Sequence, residues 1–339
     1  MNILLTSVGR RSYLVKYFKD AIGSNGKIYA SNSEQSIALK KADHYFISPL
    51  VYDDNYVSSI VKYCVQEHIE TVLSLFDIDL LVLAKNENMF STNGIQLILA
   101  PYNSIMICND KWLTYEFLSK NNITTPKTYL TINNTISAIE IGNSNYPVVI
   151  KPRWGMASLG IYYADNENEL KVLYKKSKQD IFNSYMKYES SLTEKQPIIM
   201  QEKIIGKEFG IDVLNNLELE FVKCFVKQKV TMRAGETDIG LTVNADKFKK
   251  ISMLLSKKIG HKGILSVDCF MVNNDIYVTE MNCRISGHYP ISHVAGFNFP
   301  KVLIRWLQKK YVDESLLSFK ENIYITKELV PVVLDSYLE

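Results

Sequence analysis

Cysteine is scarce in this sequence and wrongly spaced for metal or disulfide work. Cys64, Cys108, Cys224, Cys269 and Cys283 form no CxxC pair. An odd set of scattered thiols argues against a disulfide framework or a cysteine cage and for a reducing compartment. Long apolar runs are missing as well, since no stretch approaches the roughly 18 apolar residues of a membrane span. The short run Met1-Asn2-Ile3-Leu4-Leu5-Thr6 is followed by Arg10-Arg11 rather than preceded by charge, so it does not read as a signal peptide. A soluble, cytoplasmic protein is expected. Charge of one sign is not in excess: Lys and Arg number 39, Asp and Glu 36, for a net charge of +3. That balance makes no electrostatic case for nucleic acid or an anionic membrane and points to small-molecule partners. Glycine-rich nucleotide signatures are thin. The turn Ser7-Val8-Gly9-Arg10-Arg11 has one glycine where a dinucleotide fingerprint needs three, and Ser31-Asn32-Ser33 supplies no ribose-binding acid. A nicotinamide oxidoreductase is therefore disfavoured. The chain has no low-complexity tract and no internal repeat.

What is present is a chain of 339 residues, 47% hydrophobic, long enough for two or three domains. Its first hundred residues alternate strand and helix signals. Strands are expected at Ile3 to Val8, Lys27 to Ala30, Thr71 to Leu75 and Ile95 to Leu99, with helices over 12–20, 55–68 and 79–88. This rhythm predicts a parallel sheet with helices on both faces. Ligands of such sheets sit at the carboxyl ends of strands, where Gly9, Arg10, Arg11 and Asp77 fall. Two arginines before a helix can hold an anionic substrate group or form a solvated basic turn. A helix capped near Asn109-Asp110 follows, ended by Asn121-Asn122 and Pro126. A smaller α/β region runs from there to Leu192 around the strand Val148-Val149-Ile150. Several strands lie over 198–230, and helices over 245–259 and 303–307.

The most informative stretch is Ile264 to Arg284. It reads as a buried strand through Val272, turn chemistry at Asn273-Asn274-Asp275, and a returning strand Ile276 to Asn282. A three-residue loop puts Val272 opposite Ile276 and Asp268 opposite Glu280; a two-residue loop would put Thr279 there instead. Alternation sets Glu280, Asn282 and Arg284 on one face. Facing carboxylates repel unless a cation or proton lies between them. Asp268, Glu280 and the Asn282 carbonyl are the hard oxygen ligands that Mg²⁺ takes. The alternative is a surface pairing of Glu280 with Arg284 or a lysine.

Lys151 ends the strand Val148–Ile150 and is placed to meet a phosphate. The following loop, with Gly155, Ser158 and Gly160, offers backbone donors, although it is no Walker A loop and an ordinary hairpin fits it too. Lys111, in the first turn of its helix, matters as a second cation. Gln201 to Glu208 runs from a strand into a hinge able to read an adenine edge, with Glu202 and Glu208 as acceptors or as solvated charges.

Taken in order, Asn109-Asp110-Lys111 to Pro126, Val148 to Pro152 with its loop, Glu202 to Glu208, Arg233-Ala234-Gly235-Glu236-Thr237, and Asp268 with Glu280 to Arg284 resemble the ATP-grasp superfamily. The likeness is to its carbamoyl-phosphate-synthase-like branch and spans about residues 1 to 300. It implies an α/β fold with a Rossmann-like parallel sheet (the pre-ATP-grasp domain, 1–105), a linker helix and small α/β lid (106–200), a catalytic α+β subdomain with a mixed or antiparallel sheet (201–310), and a C-terminal extension (311–339) that matches nothing recognisable. It also implies cofactors, ATP with Mg²⁺ or Mn²⁺, and roles. Lys111, Lys151 and Ser158 would meet the phosphates. Glu202 and Ile204 would form the adenine hinge, and Glu208 would bind ribose. Asp268, Glu280 and Asn282 would ligate the metal. Arg284 would steady the transferring phosphoryl group, and Arg233 would touch substrate or phosphate. His288 falls near a position that serves as a base in related carboxylases, or is structural. The glycine-poor loop with Trp154 and Met156, and Cys283 in place of a common proline, depart from the pattern.

The expected activity is ADP-forming ligation: a small carboxylate attacks the γ-phosphorus, and an amine, or a thiol, attacks the resulting acyl phosphate. A kinase on the same scaffold and a nucleotide-binding module without turnover are the alternatives. Monomer and homodimer are both open.

Overall fold

The run Ile3-Leu4-Leu5 is fully buried, as only a central strand covered on both faces requires. A computed structural model describes residues 1–155 and 159–333. In it β1 (Asn2–Thr6) pairs in parallel with β2 (Lys27–Asn32) and β4 (Thr71–Ser74). With β3 (His44–Ile47) and β5 (Gln96–Leu97) they form a sheet of order β3-β2-β1-β4-β5. Ile3 and Leu5 pack with Leu14, Val15 and Phe18 of the helix Ser12–Ile22 on one face, while Leu4 meets Ile60 and Cys64 of the helix Tyr56–Gln66 on the other. The parallel α/β expectation holds. β3 was not anticipated: it is a short edge strand with little buried side chain, so it leaves no apolar run to read.

A small antiparallel sheet follows, ordered β6-β9-β7-β8, from β6 (Thr128–Tyr129), β7 (Val148–Pro152), β8 (Tyr162–Ala164) and β9 (Ile198–Glu202). Val148 and Ile150 pack against Leu170 and Ile181 of the helix Glu167–Phe182. The large sheet comprises β10 (Lys207–Asn215), β11 (Phe221–Arg233), β12 (Glu236–Val243), β13 (Gly263–Val272), β14 (Asp275–Asn282) and β15 (Tyr324–Thr326), in the order β14-β13-β10-β11-β12-β15. The last of these lies in the segment that resembled nothing and adds an antiparallel edge to β12, with Ile239 opposite Thr326, Gly240 opposite Ile325 and Leu241 opposite Tyr324.

The two faces of the large sheet differ. Ile211, Val213, Val226, Val267 and Cys269 face the helix Asp246–Ile259 and bury Phe248 and Leu255. On the other face Leu214, Phe225 and Ile264 join Tyr289, Phe297 and Phe299. Toward the opposite end that same face turns polar, with Asp212, Lys227, Lys229, Ser266 and Asp268. Polar side chains on a covered sheet face cost free energy unless they pair or serve a ligand.

The β13–β14 hairpin keeps the expected Asp268–Glu280 pairing by a different route. Val272 pairs with Asp275, not Ile276, so the turn has two residues, Asn273 and Asn274, both at positive φ (48° and 76°). This is the left-handed geometry that tight hairpins favour and asparagine tolerates. The register then shifts between Asp268 and Cys269, with Thr279 as the extra residue. That bulge restores Asp268 opposite Glu280 and lets both Val278 and Met281 reach the core. Thr279 Oγ1 donates to the Asp268 carbonyl at 3.1 Å, closing the bulge. Among the described residues no helix is long and apolar enough to cross a membrane.

Candidate active site

A cleft opens where the three sheets meet, lined by Asp77, Asn109, Lys111, Trp154, Glu189, Glu280 and Asn282. Lys111 owes its position to Asp110, which caps the helix Lys111–Lys120 by accepting from Trp112 N–H (2.9 Å). The same carboxylate receives Arg153 Nε and Nη2, each at 2.7 Å. Lys111 N–H also donates to the Arg153 carbonyl at 3.1 Å. The chain leaving β7 is thus tied to the helix that carries Lys111. Lys111 Nζ donates to the Gly155 carbonyl at 2.6 Å and lies 3.9 Å from Glu280. Lys151, buried in β7, has its pKa pushed down to about 8 by burial and then by Lys111, with Glu280 and Asp268 opposing. Two lysines in one buried place call for negative charge beyond what these carboxylates supply. Ser158 lies outside the described residues.

Across the cleft, Glu280 Oε1 accepts from Asn282 Nδ2 at 3.3 Å. Asp268 Oδ1 lies 2.9 Å from Lys229 Nζ, an ion pair without hydrogen-bond geometry, and 3.5 Å from His288 Nε2. Burial works to raise the Asp268 pKa, but Lys229 and His288 outweigh it and hold it well below the carboxylate range. Both neighbours engage Oδ1, and among the described residues nothing engages Oδ2. One free carboxylate oxygen there, the Glu280 carboxylate and the Asn282 carbonyl make an all-oxygen set that fits a hard divalent cation. Among the described residues no cluster of three or more His, Cys, Asp or Glu side chains forms a metal cage, so an amide and phosphate oxygens would have to complete the shell.

Sequence reasoning missed the charged row behind these ligands. Lys229 also pairs with Glu208 at 2.9 Å, so the acid expected at a ribose is held by a lysine. Asp212 and Lys227 are fully buried and paired, with Ser292 Oγ 2.9 Å from Lys227 and 2.6 Å from Asp212. His288 stands between the two aspartates, 3.3 Å from Asp212 by Nδ1, while Nε2 meets Ser266 Oγ at 2.8 Å. Its seat exists because residue 210 is glycine: a Cβ there would fall 2.7 Å from the imidazole. A glycine inside the strand Phe209-Gly210-Ile211-Asp212 was the available signal for such a close approach.

The remaining expected positions are dispersed. Glu202 ends β9 and accepts from Lys127 N–H at 3.3 Å, and Ile204 lies in the loop joining the small sheet to the large one. Arg233 sits at the β11–β12 hairpin tip, half exposed and paired with Asp238 at 2.6 Å. Arg284 is buried and bonded to Asp77 at 2.5 Å, joining the loop after β14 to the parallel sheet. Arg11 donates to the Leu75 carbonyl, Arg10 is exposed, and Gly9 takes φ 52° with its N–H on Asn32 Oδ1 (3.1 Å). Nearby Asp79 is saturated by Thr6, Ser7, Tyr56 and Ser74, so it braces the turn rather than binding anything.

The chain matches two family descriptions: "PylC-like, N-terminal domain" over residues 3–98 and "ATP-grasp domain" over residues 108–288. The D-alanine–D-alanine ligase of Petrotoga mobilis is 25% identical over 302 residues, covering 80% of this chain and 92% of that one. The arginine-specific carbamoyl phosphate synthase large chain of Bacillus subtilis is 20% identical over 278 residues, covering 79% of this chain; the chain spans only 25% of that relative's length. Among solved structures, the biotin carboxylase domain of the Hydrogenobacter thermophilus 2-oxoglutarate carboxylase, in complex with MgADP, ADP and bicarbonate, superposes with a TM-score of 0.70 at 19% identity. It covers 95% of this chain and 73% of that one, a likeness of fold. With the second description covering more than half its residues, the chain belongs to the ATP-grasp family.

Proposed function

We propose that the protein is an ATP-dependent, ADP-forming ligase that activates a small carboxylate as an acyl phosphate and couples it to an amine. The observation that carries this reading is the facing of Asp268 and Glu280 across β13–β14, with Asn282 beside them and Lys111 and Lys151 in reach of the same cleft. Phosphoryl transfer asks mainly for positioning and charge neutralisation. Lys111 and Lys151 would hold ATP phosphates, with backbone donors of the loop that includes Ser158. The hinge at Glu202 and Ile204 would take adenine, and Glu208 the ribose, on releasing Lys229. Asp268, Glu280 and Asn282 would hold Mg²⁺ or Mn²⁺, which when bound supplies charge neutralisation across the phosphates.

Arg284 would steady the transferring phosphoryl group as an oxygen of the substrate carboxylate attacks the γ-phosphorus and the bond to ADP breaks. The amine nitrogen then attacks the acyl carbon, phosphate leaves, and the amine loses a proton. Lys229 and His288 fix Asp268 from behind, and in that role His288 positions rather than accepts protons. Gly9, Arg10, Arg11 and Asp77 would border the substrate, with Arg233 at its outer rim. The five cysteines are buried free thiols, with Cys283 Sγ donating to Cys108 Sγ at 3.4 Å, and this supports a reducing, cytoplasmic setting.

The test is ADP release from Mg-ATP, and from Mn-ATP in parallel, with pairs of carboxylic acids and amines. ADP production requiring both partners is expected, and Glu280→Gln should abolish it. Release of AMP, or turnover indifferent to the acid, would overturn the reading.

A further inference from the structure

Buried polar atoms are almost always paired, yet four are unpaired around Arg11: three in residues that act on its guanidinium and a fourth two residues on from Arg284. They are Tyr13 Oη, Asp77 Oδ1, Arg284 Nε and Ser286 Oγ. Asp77, Arg284 and Ser286 are each more than nine-tenths buried. They come from separate elements: the helix after β1, the start of the helix Asp77–Lys85 that follows β4, and the loop after β14. A further wall comes from the C-terminal segment. Lys327, next to β15, donates to Glu236 (2.8 Å) and to the Gly287 carbonyl (2.6 Å), and its Nζ stands 5.8 Å from the Tyr13 ring. Glu236 lies so close to Gly287 that a Cβ there would fall 2.8 Å from its carboxyl carbon.

The charges in this place do not cancel. Arg284 has Asp77, and Lys327 has Glu236, but among the described residues no carboxylate pairs with Arg11. Burial and then Arg284 push the Arg11 guanidinium down, while Tyr13, Asp77 and Glu236 pull the other way. Neighbouring guanidiniums in a dry setting favour an anion between them. The unpaired Asp77 oxygen, with Glu236 nearby, favours a cationic or donor group on the same ligand.

Resting on the ligase reading above, we propose that this is the seat of the activated substrate and that the substrate is an α-amino acid. Its carboxylate lies toward Arg11 and Arg284, beside Asn282, and its ammonium toward Asp77 and Glu236. Tyr13 and Ser286 supply hydroxyls, and Lys327 sets Glu236 in place. The C-terminal segment is therefore a specificity element, and Lys327 is a positioning residue.

The experiment compares each standard L-amino acid with its deaminated acid and its decarboxylated amine, by ADP release with Mg-ATP and by thermal shift of nucleotide-free protein. At least one amino acid is expected to exceed its deaminated counterpart about tenfold in kcat/KM. Tyr13→Phe and Lys327→Met are expected to raise the KM for that amino acid about tenfold and to leave the KM for ATP within about twofold. These variants carry the test because Arg11→Met also frees the Leu75 carbonyl and can loosen the turn. Deaminated acids serving as well as amino acids, or an unmoved amino-acid KM in both variants, would overturn the inference while leaving the ligase reading intact. Should no acid provoke ADP release, the ligase reading fails, and the thermal shift alone decides: stabilisation by amino acids that Tyr13→Phe and Lys327→Met diminish supports the site, and its absence overturns it.

Discussion

Asp110 holds Arg153 by two hydrogen bonds of 2.7 Å while capping the helix that begins with Lys111. One carboxylate, 1% exposed, thereby fixes the two ends of the proposed phosphate cradle relative to each other. Asp110→Ala removes the cap and strands a largely buried guanidinium. Loss of a cap costs about 1 kcal/mol, and breaking a buried pair roughly 3–5 kcal/mol. Chemical denaturation should show a loss of at least about 3 kcal/mol. Arg153→Met, which leaves the cap in place but the carboxylate without its partner, should cost less than Asp110→Ala. Equal losses would mean that the cap adds nothing.

The seat of His288 supplies a sharper test of geometry. Gly210→Ala puts a methyl group 2.7–2.9 Å from the imidazole ring, which is wedged between Asp212 and Asp268. The ring must shift and give up its bond to Ser266. Overpacking of this kind costs about 1–3 kcal/mol, and Asp268 loses one of the neighbours that orient it. Stability and ADP release should both fall. In a double-mutant cycle, Gly210→Ala combined with His288→Ala should cost well under the sum of the single changes. Additive losses would show that the methyl group disturbs something other than the histidine.

These two residues also show what the sequence could convey. Strand alternation put Glu280 and Asn282 on one face, because the period of two is a property of the strand itself, whereas facing Asp268 to Glu280 rested on an assumed loop length. The turn was misread, since Asn273-Asn274 closes the hairpin in two residues and Thr279 bulges to compensate. A bulge depends on what the neighbouring strand and the core demand of Val278 and Met281, and local sequence does not carry that demand. Lys229 and Asp212 were invisible for the same reason. Each is a charge at alternate positions in an apolar strand, and only the β10–β11–β13 pairing reveals that the two strands' charges neutralise one another. β15 is three residues long and largely exposed, so its place beside β12, which brings Lys327 to Glu236, comes from tertiary structure alone.

Lys151 should give nucleotide binding a characteristic pH dependence. Its pKa is lowered to about 8, by burial first and Lys111 second. Below that value the ammonium is already present for a phosphate. Above it, binding must take up a proton, so affinity falls by up to about tenfold per pH unit. The dissociation constant of Mg-ATP, measured by calorimetry from pH 6 to 9.5, should be flat at first and then rise beyond about pH 8. Lys151→Arg, which keeps its charge throughout, should flatten the rise. A rise that persists unchanged in this variant would assign the titration to another group.

Glu189 gives the opposite sign in a different readout. It lies on the helix Lys187–Ser191, lines the cleft, accepts the Tyr52 hydroxyl from the parallel-sheet domain, and sits next to Tyr188, whose ring stacks on Tyr52 at 4.2 Å. Burial raises its pKa from 4.5 to about 7. A carboxyl whose folded pKa is raised favours the fold fully below its unfolded value, and that contribution is lost as pH climbs through the folded value. The relevant window is therefore about pH 4.5 to 7. Glu189→Gln has nearly the shape of the protonated acid and never carries the charge. The variant and the parent should melt together near pH 5, and the variant should melt higher by a few degrees, about what 1–2 kcal/mol produces, at pH 8. Thermal unfolding in a pH series measures this directly. A gap between the two that stays constant with pH would show that Glu189 does not titrate in the folded protein. A gap that closes when Mg-ATP is added would show that nucleotide binding draws the helix and its carboxyl out toward solvent.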